Sequence, residues 1–453
     1  MPSVPRQLRL RHPLAETEPV SALLDEVLLR LNQRDVPYAL LRHDRPSDLG
    51  SDIDIGLLAH PIETIEPILR DLERESQLIL VHRLHYEIPH GYYYVLALPR
   101  RAGEFLHLDC LFDPLGVNRY YLPTPYLLKG RVIRDGVPCV SREAEALHLL
   151  MKRIVKARWS GTDCAKLRDV YDGSSAFREE VQRWFGRRAA GDVGVLLHCS
   201  CERTQASLMT RLRRRLWRRR LFHHPFICLR RWHHHLLRAV GRLTRPTGYF
   251  VVIVGPDGSG KSTIAAALAE QLGRAFRRLW RFHWRPHVLP RLRPGGTAHA
   301  SGPEPPPSAS QYSCLVSLAR FLYYWLDFVI GYWPQIYRRT AQTTLVIGER
   351  YYHDVLVNPE RYGFAVPRWL LRLAFHWVPS PDLTVLLENK PDVIHRRKSE
   401  LAPAAIARQI TALRQELPHW GPSLIVETTA DASATAEAVG FAILRDCGKK
   451  IAS

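Results

Sequence analysis

Cysteine is scarce in this chain, eight in 453 residues, and the eight are scattered. Such a pattern excludes a disulfide framework and fits a reducing compartment. Cys199 and Cys201 stand beside His198, yet no second pair at zinc-ligand spacing follows them, so they read as free thiols. The N-terminal run "MPSVPRQLRLRHPLAETEP" lacks the continuous apolar core of a secretory signal. A charge-free apolar run of spanning length, about twenty residues, is missing too. The nearest approach, Leu315 to Tyr337, is interrupted by Arg320 and Asp327, and a buried or groove-lining helix is expected there. These absences point to a cytoplasmic chain. One further absence is local: no acidic residue occurs from Arg203 to Arg245, against thirteen arginines and five histidines. Much of the net charge of +20 is concentrated in that segment.

What is present is an ordinary globular composition, 46% hydrophobic and 24% charged, in a chain too long for one core. Early on, "SALLDEVLLRLNQR" sets Leu23, Leu24, Val27, Leu28 and Leu31 on one helical face. It is followed by strand-like runs "PYALLR", "SDIDIGLL", "QLILVHR", "YYYVLAL" and "FLHLDCLF". An α+β domain over residues 1–130 is expected. Residues 131–245 read as a helical appendage leading into the basic connector. From 246 to 453, the runs "YFVVIV", "LWRFHW", "TLVIGE", "DLTVLLE" and "SLIVET" alternate with helical patterns, which predicts a five-stranded parallel α/β sheet. A Pro-, Gly- and Ser-rich stretch at 293–311 reads as a surface loop.

The run Gly255-Pro-Asp257-Gly258-Ser259-Gly260-Lys261-Ser262-Thr263 fits G-x-x-x-x-G-K-[ST], directly after an apolar strand and before a good helix. Glycines at this spacing let backbone N–H groups close on phosphate oxygens at a helix N-terminus. Lys261 supplies charge and the Ser262 hydroxyl a ligand for Mg²⁺. ATP with Mg²⁺ is the expected cofactor. This segment resembles the thymidylate kinase family of P-loop kinases, and three later segments follow in the family's order. "GERYYHD" resembles its Asp-Arg-Tyr signature, with Glu349 in place of aspartate, and by that resemblance Arg350 holds the acceptor phosphate, with Tyr351 and Asp354 beside it. "HWRP" puts Arg285 where such kinases also contact acceptor phosphate. "ENKPDVIHRRKSE" resembles the lid, offering Arg396, Arg397 and Lys398. The loop itself contains no arginine, so cations for phosphoryl transfer have to come from elsewhere. Tyr323, Tyr324, Asp327 and Tyr332 are either core or an acceptor groove. The resemblance implies transfer of a phosphoryl group to a nucleoside monophosphate, dTMP to dTDP, or to a related phosphorylated small molecule, and a homodimer.

Near the start, "GSDIDI" places Asp52 and Asp54 on one strand face, since side chains repeat every second residue. Two carboxylates so spaced can share a hard divalent cation, with Asp109 of "FLHLDCLF" as a third. This resembles the polymerase β-type nucleotidyltransferase fold. That family carries a Gly-Ser turn about a dozen residues earlier; here Arg42 and His43 stand at that point, and Gly50-Ser51 abuts the pair instead. Three readings of the whole therefore stand together: a kinase, a nucleotidyltransferase using Asp52, Asp54 and Asp109, and a non-catalytic ATP-binding switch. For residues 203–245, leucines and aromatics interleave with arginines. That pattern suits an anionic membrane surface or packing on a domain, and suits nucleic acid less well because no nucleic-acid fold signature accompanies it.

Overall fold

The computed structural model describes residues 20–42, 52–75, 78–85, 90–98, 103–116, 122–223, 225–290, 313–428 and 431–452. The chain forms two compact units, Met1–Arg100 with Phe105–Val240, and Arg101–Glu104 with Gly241–Ser453. His43, Gly50, Ser51 and the 293–311 stretch lie outside the described residues.

Unit 1 is built on a mixed sheet of seven strands: β1 (Tyr38–Leu40), β2 (Ile53–Leu57), β3 (Ile79–His85), β4 (Gly91–Ala97), β5 (Phe105–Leu111), β6 (Val132–Arg134) and β7 (Val137–Cys139). Their order is β3-β4-β5-β2-β1-β7-β6. Five of these are the runs expected from alternation. The β6–β7 hairpin carries the sheet past residue 130, turning through Asp135 and Gly136, both at positive φ. β2 lies parallel to β5 and antiparallel to β1, which sets it in the middle of the sheet. Helices α1 (Val20–Gln33), α2 (Pro61–Arg74) and the short α3 (Thr124–Leu128) are interspersed with the strands. The helical part then follows as α4 (Arg142–Lys156), α5 (Gly161–Gly173), α6 (Ser175–Phe185), α7 (Arg187–His198), α8 (Glu202–His223) and α9 (Pro225–Thr244). Ser141 starts α4 by accepting from the Ala144 N–H at 3.2 Å. Leu147, Leu150, Met151 and Ile154 of α4 then share one core with Phe177, Phe185, Leu196 and Leu212.

Unit 2 has five strands, all parallel: β8 (Tyr249–Val254), β9 (Arg278–His283), β10 (Thr344–Glu349), β11 (Leu383–Glu388) and β12 (Ser423–Glu427), in the order β12-β11-β8-β10-β9. Every residue of β8 and β10 is buried, as two-sided coverage of a parallel sheet requires; β12 alternates and β9 is largely exposed because both are edges. The helices are α10 (Lys261–Leu272), α11 (Cys314–Gly331), α12 (Arg338–Thr340), α13 (Tyr352–Val357), α14 (Arg368–Phe375), α15 (Pro391–Arg397), α16 (Pro403–Glu416) and α17 (Ala432–Ala452). α11 runs on into α12 through a widened π turn at Tyr332–Tyr337, where Pro334 has no N–H to give. The stretch Cys314–Thr340 is long and apolar enough to cross a membrane by length and composition, and a third of its most apolar window is buried. The expectation of a buried helix holds for one face only. Phe321, Tyr324, Asp327 and Phe328 are buried, whereas Leu315, Leu322, Leu326, Ile330 and Trp333 are exposed.

Candidate functional site

β8 is central, flanked by β10 on one side and β11 on the other, and the order of strands reverses about it. The crevice at its C-terminal end is the place where open α/β sheets bind ligands. The Gly255–Thr263 loop fills that position. Gly255, Gly258 and Gly260 have φ of 150°, 88° and 90°, which side chains rarely tolerate. A Cβ on Gly255 would come within 2.5 Å of the Leu387 carbonyl, so only glycine lets the loop pass over β11. One on Gly258 would come within 3.0 Å of the Ile394 carbonyl and of Lys398 Cβ, so the end of α15 abuts the loop. Arg396, Arg397 and Lys398 are exposed there; Lys398 pairs with Glu400 at 3.0 Å.

Inside the loop, Lys261 Nζ donates to the carbonyls of Gly255 at 2.9 Å and Pro256 at 2.7 Å. Burial and the neighbouring Arg350 charge push its ammonium down to about 8. The Ser262 hydroxyl donates to Glu349 Oε2, and Glu349 Oε1 accepts from Arg281 Nη2 at 2.8 Å. Hydroxyl and carboxylate thus meet where the first turn of α10 faces the end of β10. Both are hard oxygen donors.

Asp257 is ringed by cations: Lys261 at 3.4 Å, Arg361 at 2.6 Å and Arg350 in direct contact. Burial alone would raise its carboxyl, but the charges of Lys261, Arg350 and Arg361 outweigh burial and hold it well below the usual range. Arg350 has φ of 66°, a strained value for a side chain this large, at the turn that leads out of β10. Neither Arg361 nor Arg281 stood out in the sequence. Arg361 lies in the short 3₁₀ turn Pro359–Tyr362, whose residues have no periodic signature, and Arg281 is one of several arginines on an edge strand.

Three expected contact residues are turned inward. Arg285 is fully buried and pairs with Asp327 at 2.7 Å, its guanidinium 5.0 Å from the Tyr324 ring centroid. Asp327 also accepts from the backbone N–H groups of Val288 at 2.8 Å and Leu289 at 2.7 Å, so it fastens the chain after β9 rather than lining a groove. Tyr351 is fully buried edge-on against Phe250 and Phe328, with centroids 5.4 and 5.1 Å away. Asp354, nearly buried, accepts from Tyr362 Oη. The Arg285 Nε and Nη2 atoms are buried without a hydrogen-bond partner among the described residues.

In unit 1 the register of β2 and β5 sets Asp54 directly opposite Asp109. Asp52 accepts from Tyr93 Oη at 2.7 Å. Asp54 is held by Arg42 at 2.9 Å, with Lys152 Nζ of α4 at 3.7 Å. Burial, then the Asp54 and Asp52 charges, push Asp109 up to about 7. Burial also lowers His148, nearby on α4, to about 4. A cavity of about 280 Å³ is lined by Arg42, Asp52, Asp54, His148 and Lys152 among others. Asp52, Asp54 and Asp109 are brought together, yet among the described residues no group of three or more His, Cys, Asp or Glu is arranged to hold a metal ion. Cationic side chains occupy the carboxylates instead. Lys152 escaped sequence reading because a lysine on an amphipathic helix looks like solvated surface.

No protein-family model matches the chain, and no curated protein matches it. Among solved structures it is similar to thymidylate kinase from Ehrlichia chaffeensis, at 18% identity, covering 44% of this chain and 98% of that one, with a TM-score of 0.28. A likeness of that size carries no functional argument, and the site stands on its own geometry.

Proposed function

We propose that unit 2 transfers the γ-phosphoryl group of ATP to a small phosphorylated acceptor, a nucleoside monophosphate with dTMP the first to test. The observation that carries this reading is the meeting of Ser262 and Glu349 beside the glycine cradle that holds Lys261. The residues fit a nucleotide with Mg²⁺: backbone curvature that only glycine permits, a buried lysine, and a hydroxyl–carboxylate pair. Bound between Ser262 and Glu349, Mg²⁺ would neutralise charge on the transferring phosphates.

Lys261 exchanges its hydrogen bonds to the Gly255 and Pro256 carbonyls for phosphate oxygens, which restores its full charge. Arg281 keeps Glu349 ionised and oriented. Arg350 and Arg361, gathered on Asp257, supply the cations for acceptor phosphate, and Arg396 and Arg397 approach from α15. Arg285, paired with Asp327, fixes the segment that follows β9.

Product chromatography of the purified chain with Mg·ATP and a panel of nucleoside monophosphates and sugar phosphates tests the proposal. Acceptor-dependent ADP with a matching phosphorylated product is expected. ATP binding without turnover across the panel would favour a nucleotide switch. Pyrophosphate release would move the chemistry to Asp52, Asp54 and Asp109, the second reading, which the register of Asp54 against Asp109 keeps in view.

A further inference from the structure

The basic segment is two helices of opposite character. In α8 the apolar stripe is buried as far as Leu216: Leu208, Met209, Leu212 and Leu216 lie in the core of unit 1, while Trp217, Leu221 and Phe222 beyond it are exposed. In α9 it is not. Phe226, Leu229, Trp232, Leu236, Leu237 and Val240 are 48–83% exposed. At 3.6 residues per turn these six fall within roughly 140° of the helix circumference. The other side of α9 faces the protein: His234 is buried, its ring centroid 4.6 Å from that of His85 on β3, and Arg238 reaches His235 at 3.3 Å. An amphipathic helix that turns its polar side to the protein and its apolar side outward leaves that outer side uncovered among the described residues.

Charge decides which partner fits. Arg213, Arg214 and Arg218 of α8 are exposed and have no carboxylate partner among the described residues. Arg214 and Arg218 also stand with Arg188 around an open groove of about 1130 Å³. Two of the other arginines there are spent on the last carbonyls of α6: Arg215 Nε donates to Phe185 O at 2.5 Å, and Arg219 Nη1 to Arg183 O at 2.6 Å. A second copy of the chain would bring this unneutralised positive charge against itself. A nucleic acid would neutralise the arginines and leave six large apolar side chains in water. An anionic bilayer answers both needs, with headgroup phosphates for the arginines and an acyl boundary for Phe226, Leu229 and Trp232.

We propose that α9 is an interfacial anchor, laying its Phe226-to-Val240 face into a bilayer of anionic lipid while the α8 arginines hold the headgroups. This inference does not depend on the kinase reading. The test is flotation of the full chain with vesicles of phosphatidylcholine alone and with vesicles rich in phosphatidylglycerol, comparing it with Leu229→Glu/Leu236→Glu. Both positions are exposed, so the double variant keeps its fold, and circular dichroism checks that it does. The expected result is flotation with the anionic vesicles only, weakened by salt, with partitioning reduced on the order of tenfold or more in the double variant. Absence of flotation at low salt would overturn the proposal. So would flotation indifferent to the two glutamates. Concentration-dependent self-association abolished by the glutamates, without vesicle binding, would assign the face to a second copy, and retention of an RNA or DNA duplex without vesicle binding would assign the arginines to nucleic acid; either result overturns the anchor.

Discussion

The Ser262 hydroxyl donates to the Glu349 carboxylate, joining two residues 87 positions apart, one in the first turn of α10 and the other at the end of β10. Arg281 takes the other carboxylate oxygen, so Glu349 is ionised and its carboxyl stays below its ordinary range although burial pushes the other way. Glu349→Gln keeps the shape and removes the charge. ADP formation is expected to fall on the order of 100-fold, and raising the Mg²⁺ concentration should recover part of it. An unchanged Mg²⁺ requirement would mean that Glu349 does not face the metal.

Lys261→Ala removes the one buried ammonium of the loop. Its hydrogen bonds go to two carbonyls that the loop can offer to water, so the fold should persist by circular dichroism while ATP turnover is lost. Normal turnover by this variant would sink the kinase assignment.

Asp52→Asn together with Asp54→Asn should leave ADP formation unchanged, because neither carboxylate contributes to the unit 2 site. Loss of ADP formation would show that the two units are coupled.

Asp327 carries a different burden. It is fully buried, neutralises Arg285 and accepts three backbone N–H groups from residues 287–289. Removing one partner of a buried pair leaves the other charged and uncompensated, a loss of about 3–5 kcal/mol. Asp327→Ala should therefore shift the denaturant midpoint of the transition reported by tryptophan fluorescence, and Asp327→Asn, whose one carbonyl oxygen can still accept from Val288 and Leu289, should shift it less.

How much of this was legible follows from which signals are local. The phosphate loop is written in glycine spacing over nine residues, and Glu349 is marked by the end of an apolar strand. Asp327 reads in the sequence as a break in an apolar helix, because nothing local reveals that its carboxylate serves a segment forty residues earlier. Arg285 sits in a motif-like run that resemblance links to acceptor phosphate, and nothing local shows that Asp327, 42 residues later, holds its guanidinium in the interior. The strands of unit 1 were readable as apolar or alternating runs, except β6 and β7, which are three residues each and fall in no such run. For α8 and α9 the amphipathic pattern is the same whichever way a helix faces. Only packing distinguishes the buried leucines of one from the exposed leucines of the other.

Asp109 makes unit 1 sensitive to pH with a definite sign. Its carboxyl is raised from the ordinary value of 3.8 to about 7, first by burial and then by Asp54 and Asp52. Between those values the folded chain keeps a proton that the unfolded chain releases, so stability is present at the acid end and is lost as pH rises through about 4 to 7. Asp109→Asn has no proton to lose. Hydrogen exchange of the β2 and β5 amides should therefore be slower in this variant than in the parent at about pH 8, with the difference shrinking as pH falls toward about 4, after correction for the intrinsic rate. The opposite trend, protection in the parent growing with pH, would mean that a cation neutralises the three aspartates in solution. In that case chelation should abolish the trend.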